Sequence, residues 1–300
     1  MTSAQSVAPT LFSGVSGVLG CGISQHKLPT NSHYFGRQLV DAFPATFHQL
    51  DLVHQHSAAS LIAELRPQLF VHAACISSAQ QCADNVTLTS RVNIESVREI
   101  SRACAQIDCH LVYISTEQVF AGDVESYTEK CKPNSTTTYG ASKAAAEEIV
   151  LQDGATVVRL PLLLGPNYSR SGGGADFALL QALAAGSEPS LFEDEWRSPV
   201  AADEIWPMIK LLGARKIGGV FHLAGADVVS RYELAQMVCR VANVAPDFRH
   251  SSIADFKGPR RSPRLALSCE RAQLLLDYRP PSLETSLLRL HSSSRLPNND

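Results

Sequence analysis

The sequence predicts an α/β fold: a Rossmann-type, doubly wound parallel sheet with a smaller C-terminal substrate-binding region. Three observations lead there. Short apolar runs alternate with longer amphipathic stretches through the first half of the chain. A glycine cluster, Gly14-Val15-Ser16-Gly17-Val18-Leu19-Gly20, directly follows the first apolar run. After Gly165 the alternation gives way to a Gly-rich loop and mixed, Pro-containing sequence. The expected division is a dinucleotide-binding unit over 1–167, completed by a returning strand within 197–227. Residues 168–196 and 228–300 then form the smaller region.

The 300 residues are enough for a substantial core, and 45% hydrophobic with 18% charged residues is ordinary for a globular chain. A net charge of -3 makes no electrostatic case for nucleic acid or a membrane surface. No apolar run has membrane-span length, and the N-terminal residues lack a signal-peptide pattern, so a cytoplasmic location is expected. The eight cysteines (Cys21, Cys75, Cys82, Cys104, Cys109, Cys131, Cys239, Cys269) include no Cys-x-x-Cys pair, which suits reduced thiols and predicts no metal site.

Val7 to Phe12 reads as a buried strand. Gly-x-x-Gly-x-x-Gly after a strand and opening a helix suits a dinucleotide pyrophosphate, because glycines admit the phosphates and a helix N-terminus offers free N–H groups. Gly14, Ser16, Gly17, Val18, Leu19 and Gly20 are the expected contacts; a ligand-free turn is the alternative. His33 to Gly36 is the second strand, and Arg37 at its tip suits a 2′-phosphate, favouring NADP while leaving NAD open. Asp51, followed by Leu52, is placed either against the adenine or as the cap of a helix beginning near His56. Leu69 to His72 is a strand ending in Ala73 and Ala74, small enough for a backbone passing under a cofactor. A helix over Val86–Ala105 buries Ile94, Val97 and Ile100 and carries Asn93. Leu111 to Ile114 is the strand that delivers Ser115 and Thr116 at its C-terminal end, where ligands of open parallel sheets bind.

A helix over Thr138–Leu151 puts Tyr139 and Lys143 on one face. An ammonium beside a phenol favours the phenolate, so Tyr139 is expected to have a lowered pKa and to act as acid or base on an alcohol or carbonyl. The alternative is an ordinary amphipathic helix. Ala155 to Leu160 is a further strand, running into Pro161. Beyond it come a flexible loop through Gly165-Pro166-Asn167 and Ser171 to Gly174, a helix over Asp176–Ala185, and the returning strand Gly219–Leu223. Ser230 to Glu233 form a capping box for a helix through Val241. The basic cluster Lys257, Arg260, Arg261 and Arg264 is a candidate diphosphate contact, with Arg261 or Arg264 facing the cleft; a solvated loop is the alternative. His291 to Pro297 reads as a frayed terminus or a docking tail.

Taken together, Gly14-x-x-Gly17-x-x-Gly20, Ala73-Ala74, Val92-Asn93, Ser115-Thr116 with Val119-Phe120, Tyr139-x-x-x-Lys143, Arg159-x-Pro161 and Arg264-Leu265-Ala266-Leu267 resemble the extended short-chain dehydrogenase/reductase superfamily. Within it the chain is most similar to the dTDP-4-dehydrorhamnose reductase family and its relative, the regulatory β subunit of methionine adenosyltransferase. The resemblance implies an NAD(P)-dependent oxidoreductase of a nucleotide-linked 4-keto sugar. It further implies Thr116, Tyr139 and Lys143 as catalytic residues, with Asn93 and Pro161 added to the cofactor contacts. In that scheme Tyr139 gives the proton, Lys143 lowers its pKa and binds the nicotinamide ribose, and Thr116 orients the carbonyl. A homodimer is left open.

Departures from the family pattern bear on the substrate. Related dehydratases carry an Asp-Glu pair where this chain has Glu117-Gln118, and Gln118 cannot serve as a carboxylate base. The reductases place Tyr at the Gln118 position and Trp near Leu162, and their closing Asp is replaced by Ser268. The sequence therefore leaves two alternatives beside the reductase: a cofactor-binding regulatory subunit and a sugar-nucleotide epimerase.

Overall fold

The structure, a computed structural model, describes residues 8–168 and 172–292. The first half runs β1 (Thr10–Ser13), α1 (Val18–Ser24), β2 (Ser32–Gly36), β3 (Thr46–Gln49), α2 (Ser57–Leu65) and β4 (Leu69–His72). Then come α3 (Ala79–Asp84), α4 (Val86–Ser90), a π-helical turn at Arg91–Glu95, α5 (Ser96–Gln106), β5 (His110–Thr116), α6 (Thr138–Gln152) and β6 (Thr156–Leu160). The second half holds β7 (Leu163–Leu164), α7 (Ala175–Ala184), β8 (Ser190–Phe192), β9 (Trp196–Arg197), β10 (Val200–Ala201), α8 (Trp206–Ala214) and β11 (Gly219–His222). It closes with β12 (Val229–Ser230), α9 (Arg231–Ala242), β13 (Arg249–Ser251), β14 (Arg264–Leu265), α10 (Glu270–Leu276) and α11 (Leu283–Ser292).

Seven strands pair in parallel in the order β11-β6-β5-β4-β1-β2-β3. The chain winds one way from β1 to β3 and the other way from β4 onward. The crevice beyond the C-terminal ends of β1 and β4 is thus the topological switch point. Alternate strand residues feed opposite faces. Phe12, Val112 and Val158 pack with Leu19 and Ile23 of α1 and with Trp206 and Ile209 of α8. Leu11, Leu111 and Val157 pack with Ile62 of α2, Ile100 of α5 and Val150 of α6. This period of two, buried on both sides, is why the strands read as continuous apolar runs. A third cluster joins Leu179 of α7, Leu191 of β8, Leu234 and Val238 of α9, and Leu287 of α11.

Several expectations change here. Strand β3 has no apolar run to announce it; Thr46 and Gln49 are exposed at the sheet edge, and pairing with β2 makes the strand. The expected helix over Val86–Ala105 is interrupted by the π-helical turn, which holds Asn93. Helix α3 precedes it, capped by the Ser78 side chain on the Gln81 N–H. The first strand begins at Thr10, and Val7 lies outside the described residues. So do Ser171 in the Gly-rich loop and positions 293–297 of the terminal run. His291, the start of that run, belongs to α11.

Helix α6 is fastened to the sheet by a buried ion pair. Arg159 of β6 donates from Nη2 to Glu147 Oε2 at 2.7 Å and from Nε to Oε1 at 3.0 Å. The Ser115 hydroxyl also donates to Glu147, and the guanidinium lies 4.9 Å from the Phe120 ring centroid. Strand-end histidines surround this region. His222 sits 3.4 Å from Arg159 Nη1, and burial, then Arg159, pushes its pKa down to about 3. His72 of β4 contacts the Ser13 hydroxyl at 2.7 Å, and burial, then Lys143, likewise holds its pKa at about 3.

Both kinds of buried group have measurable consequences. Glu147→Ala leaves Arg159 buried without a counter-ion and is expected to lose about 3–5 kcal/mol in urea unfolding. A loss under about 1 kcal/mol would mean that the pair does not fasten the helix. For the histidines, the unfolded chain takes up protons near 6.5, whereas the folded chain does so only near 3. Stability present above pH 6.5 is therefore lost as pH falls toward 3, by up to about 1.4 kcal/mol per pH unit for each histidine. Urea unfolding at neutral and mildly acid pH should show a shallower acid dependence in His72→Asn than in the parent; equal dependences would contradict a neutral, buried His72.

Candidate active site

The glycine turn is built by close approach. Gly14 has φ +74°, and a Cβ there would fall 2.6 Å from the Ala73 carbonyl carbon and the Ala74 nitrogen. A Cβ on Gly20 would fall 2.0 Å from the Val15 carbonyl oxygen, so α1 packs against the turn only with glycine at that position. Gly17 is different. Its nearest neighbour is Gly14 O at 3.6 Å, so a Cβ there would project into largely open space above the turn. No side chain caps the first turn of α1, whose N–H groups remain available. Ser16 accepts from the Tyr168 N–H at 3.2 Å, and Val18 and Leu19 open the helix. The turn is thus tight where backbone meets backbone and open where a phosphate would lie.

Across the crevice, β5 ends in Thr116, whose hydroxyl accepts from the Gln118 N–H at 3.2 Å. The same hydroxyl is near enough to the Tyr139 phenol to oppose the rise of its pKa. Gly140 makes this meeting possible. A Cβ there would fall 1.9 Å from Gln118 O and 2.1 Å from Ser135 Oγ, so the first turn of α6 lies directly on the 117–119 turn. Thr137 caps α6 through the Gly140 N–H at 3.1 Å.

Lys143 departs from expectation. Its ammonium donates to the Ile114 carbonyl at 2.7 Å and lies 4.0 Å from the Tyr113 ring centroid. The Tyr139 pKa is raised, not lowered. Burial is the main cause, the Cys75 thiol adds to it, and the Thr116 hydroxyl opposes it. Burial also lowers the pKa of Lys143, against the attraction of Cys75 and Glu147. Spacing on a helix face places an amine near a phenol, but removal of both from water outweighs their attraction.

The remaining candidates are dispersed along the same sheet edge. Arg37 is exposed immediately after β2, its carbonyl accepting from Gln49 at 3.4 Å. Asp51 does not cap α2, which begins after His56. Its carboxylate accepts from the Val53 N–H at 3.1 Å, while Leu52 is buried beside Phe35 and Phe70. Ala73 and Ala74 donate their N–H groups to Ser13 Oγ at 3.3 Å. Pro161 is buried just after β6.

Asn93, expected among the cofactor contacts, is bonded to the chain after β4 and to α6. Only 1% exposed, it receives the Ile76 N–H at 2.8 Å and donates to Ile76 O and Ser142 Oγ, both at 3.0 Å. Its amide clamps the chain after β4 to α6. Arg261 is likewise committed, donating from Nη2 to Glu195 at 2.8 Å, with its guanidinium carbon 4.9 Å from the Phe192 ring centroid and 5.4 Å from that of Phe256. Arg264 donates to Glu125 O at 2.9 Å and lies over Trp196. Lys257 and Arg260 are exposed.

Sequence reasoning passed over Gly140 and Glu147, and met Glu117 only as a departure from the dehydratase pair. For Glu147 there was a signal, since 139, 143 and 147 recur at helical spacing. Glu117 is buried against Arg197 at 3.0 Å, and burial pushes its carboxyl up to about 8 despite that cation. Among the described residues no group of three or more His, Cys, Asp or Glu could hold a metal, and no helix is long and apolar enough to cross a membrane.

Proteins of known structure share this fold. The β subunit of methionine adenosyltransferase 2 from Bos taurus is 26% identical over 275 residues, 88% of this chain and 81% of that protein. A dTDP-4-dehydrorhamnose reductase from Mycobacterium tuberculosis is 27% identical over 268 residues, 86% of this chain and 83% of that one. The crystal structure of a dTDP-4-dehydrorhamnose reductase from Bacillus anthracis, in complex with NADP, superposes with a TM-score of 0.85. At 24% identity over 96% of this chain and 99% of that one, the likeness establishes the fold. The model of the RmlD substrate binding domain matches residues 9–295, and the chain belongs to that family.

Proposed function

We propose that this protein is an NADP(H)-dependent reductase of a nucleotide-linked 4-keto sugar. The observation that carries the reading is the packing of the first turn of α6, which bears Tyr139, onto the turn that follows Thr116 at the C-terminal edge of the sheet, across the crevice from the glycine turn. The residues present fit a dinucleotide: the open face at Gly17 and the uncapped first turn of α1 would take the pyrophosphate. Arg37, exposed at the tip of β2, would meet a 2′-phosphate, and Asp51 and Leu52 would lie toward the adenine. Bound there, the nicotinamide supplies the hydride.

The chain's own residues supply position and a proton. Thr116 holds the ketone oxygen by a hydrogen bond, and Tyr139 gives its phenolic proton as that oxygen becomes an alkoxide. A phenol whose pKa burial raises keeps its proton at neutral pH, which suits a donor in the reducing direction. Lys143 places a positive charge beneath the reacting centre. Elimination of water has no second carboxylate, because Gln118 stands beside Glu117. The smaller region, 168–196 and 228–300, would hold the nucleotide sugar. A second reading, a cofactor-binding regulatory subunit, is favoured by the similarity to the methionine adenosyltransferase β subunits.

A panel of nucleotide-linked keto sugars, followed at the nicotinamide absorbance, separates the two. Tyr139→Phe is expected to lower kcat at least about a thousandfold while changing NADPH affinity less than about threefold. Surviving turnover would assign the proton to another group; NADPH binding without turnover on any sugar would favour the regulatory reading. Arg37→Ala is expected to raise KM for NADPH about tenfold and leave KM for NADH nearly unchanged. Equal effects on both would remove Arg37 from the 2′-phosphate.

A further inference from the structure

Two residues far from β5 in sequence, Arg197 and Ser262, hold the turn that follows Thr116. Arg197 of β9 reaches it through Glu117: Arg197 Nε stands 3.0 Å from Glu117 Oε1, and both side chains are buried. The other nitrogens of the guanidinium have partners too. Nη1 donates to the Trp196 carbonyl at 2.7 Å, and Nη2 donates to Glu195 Oε1 at 2.9 Å and to the Ser262 carbonyl at 3.0 Å. Ser262 closes the circuit, because its hydroxyl donates to the Phe120 carbonyl at 3.3 Å. Both ends of the 117–120 segment are therefore held by one guanidinium and the serine bonded to it. Strand pairing fixes Arg197 in turn, since it lies opposite Val229 of β12 on one side and Leu265 of β14 on the other. A planar fork can serve these separate acceptors at once, which the single ammonium of a lysine cannot.

The held segment is the one on which the candidate site is assembled. Thr116 directly precedes it and accepts from the Gln118 N–H at 3.2 Å, and the first turn of α6 rests on Gln118 O at Gly140. A shift of the segment would move Thr116 and the seat of Tyr139 together. We propose that Arg197 is a positioning residue for carbonyl reduction: its ion pair with Glu117 and its bond to Ser262 set the segment after Thr116, and it touches neither substrate nor cofactor. Its effect on turnover rests on the reductase reading above, whereas its hold on the segment does not. Misplacement of reacting groups by an ångström is enough to cost about a hundredfold in rate, so a tie this far from the chemistry still governs it.

The test combines steady-state kinetics with hydrogen exchange on full-length protein. Arg197→Ala is expected to lower kcat about a hundredfold, with KM for the sugar and for NADPH changed less than about threefold. Added guanidinium ion should restore turnover in that variant and leave the parent unaffected. A loss carried by KM for the sugar alone would make Arg197 a substrate contact and overturn the proposal. Because Arg197→Ala leaves Glu117 and Glu195 buried without this cation, Glu117→Gln guards against a variant that does not fold. It keeps the volume, removes the charge and should lower kcat about tenfold; an unchanged kcat would equally overturn the proposal. If the parent reduces no nucleotide-linked keto sugar, the reductase reading fails, and exchange decides the hold on the segment. The Gln118 and Phe120 amides are expected to exchange at least about fivefold faster in Glu117→Gln than in the parent, and equal rates would show that Arg197 does not fix the turn.

Discussion

The buried pair between Glu147 and Arg159 is the constraint on which the site depends. Two charges taken out of water are costly to desolvate and gain little over apolar packing of the same volume, so the pair is poor evidence of stability for its own sake. Its consequence is positional. Glu147 sits one turn after Lys143 and two after Tyr139 on the same face of α6, while Arg159 and Ser115 belong to neighbouring strands. An ion pair and a hydroxyl that must meet without water leave α6 little freedom to slide or rotate. The phenol and the amine inherit that registry.

Glycines fix the second dimension, the depth of approach. Gly14 brings the turn after β1 onto the chain after β4, and Gly140 brings α6 onto the turn after β5. At both positions a single methyl would overlap backbone atoms, so neither contact survives a side chain. These approaches lie on the same edge of the sheet, beyond the ends of β1, β4 and β5. That is where the reversal of winding opens a crevice. Asn93 closes the arrangement by tying the segment after β4 to α6.

Burial also governs the protons. The same desolvation raises the Tyr139 and Glu117 acids and lowers Lys143, His72 and His222. A site this dry favours neutral groups, and its electrostatic pairs act against that background rather than in place of it. A donor that holds its proton until a charged oxygen develops beside it fits such a setting.

Much of this was legible in the amino-acid order. Parallel strands buried on both faces appear as unbroken apolar runs, so β2, β4, β5 and β6 were readable. Gly14 and Thr116 were readable from their places at the ends of such runs, and Tyr139 from its spacing to Lys143. Strand β3 was not, because an edge strand with exposed Thr46 and Gln49 exists through its neighbour rather than through its own pattern. Nor were the pKa of Tyr139, the structural duty of Asn93, or the pairing of Arg261 with Glu195. Each depends on how much water is excluded and on which partner, far away in sequence, arrives in hydrogen-bond range. Local spacing determined which groups stand on a common face; only the packed tertiary structure decided what those groups touch and which charges they can keep, because desolvation belongs to the assembled core and not to any segment of it.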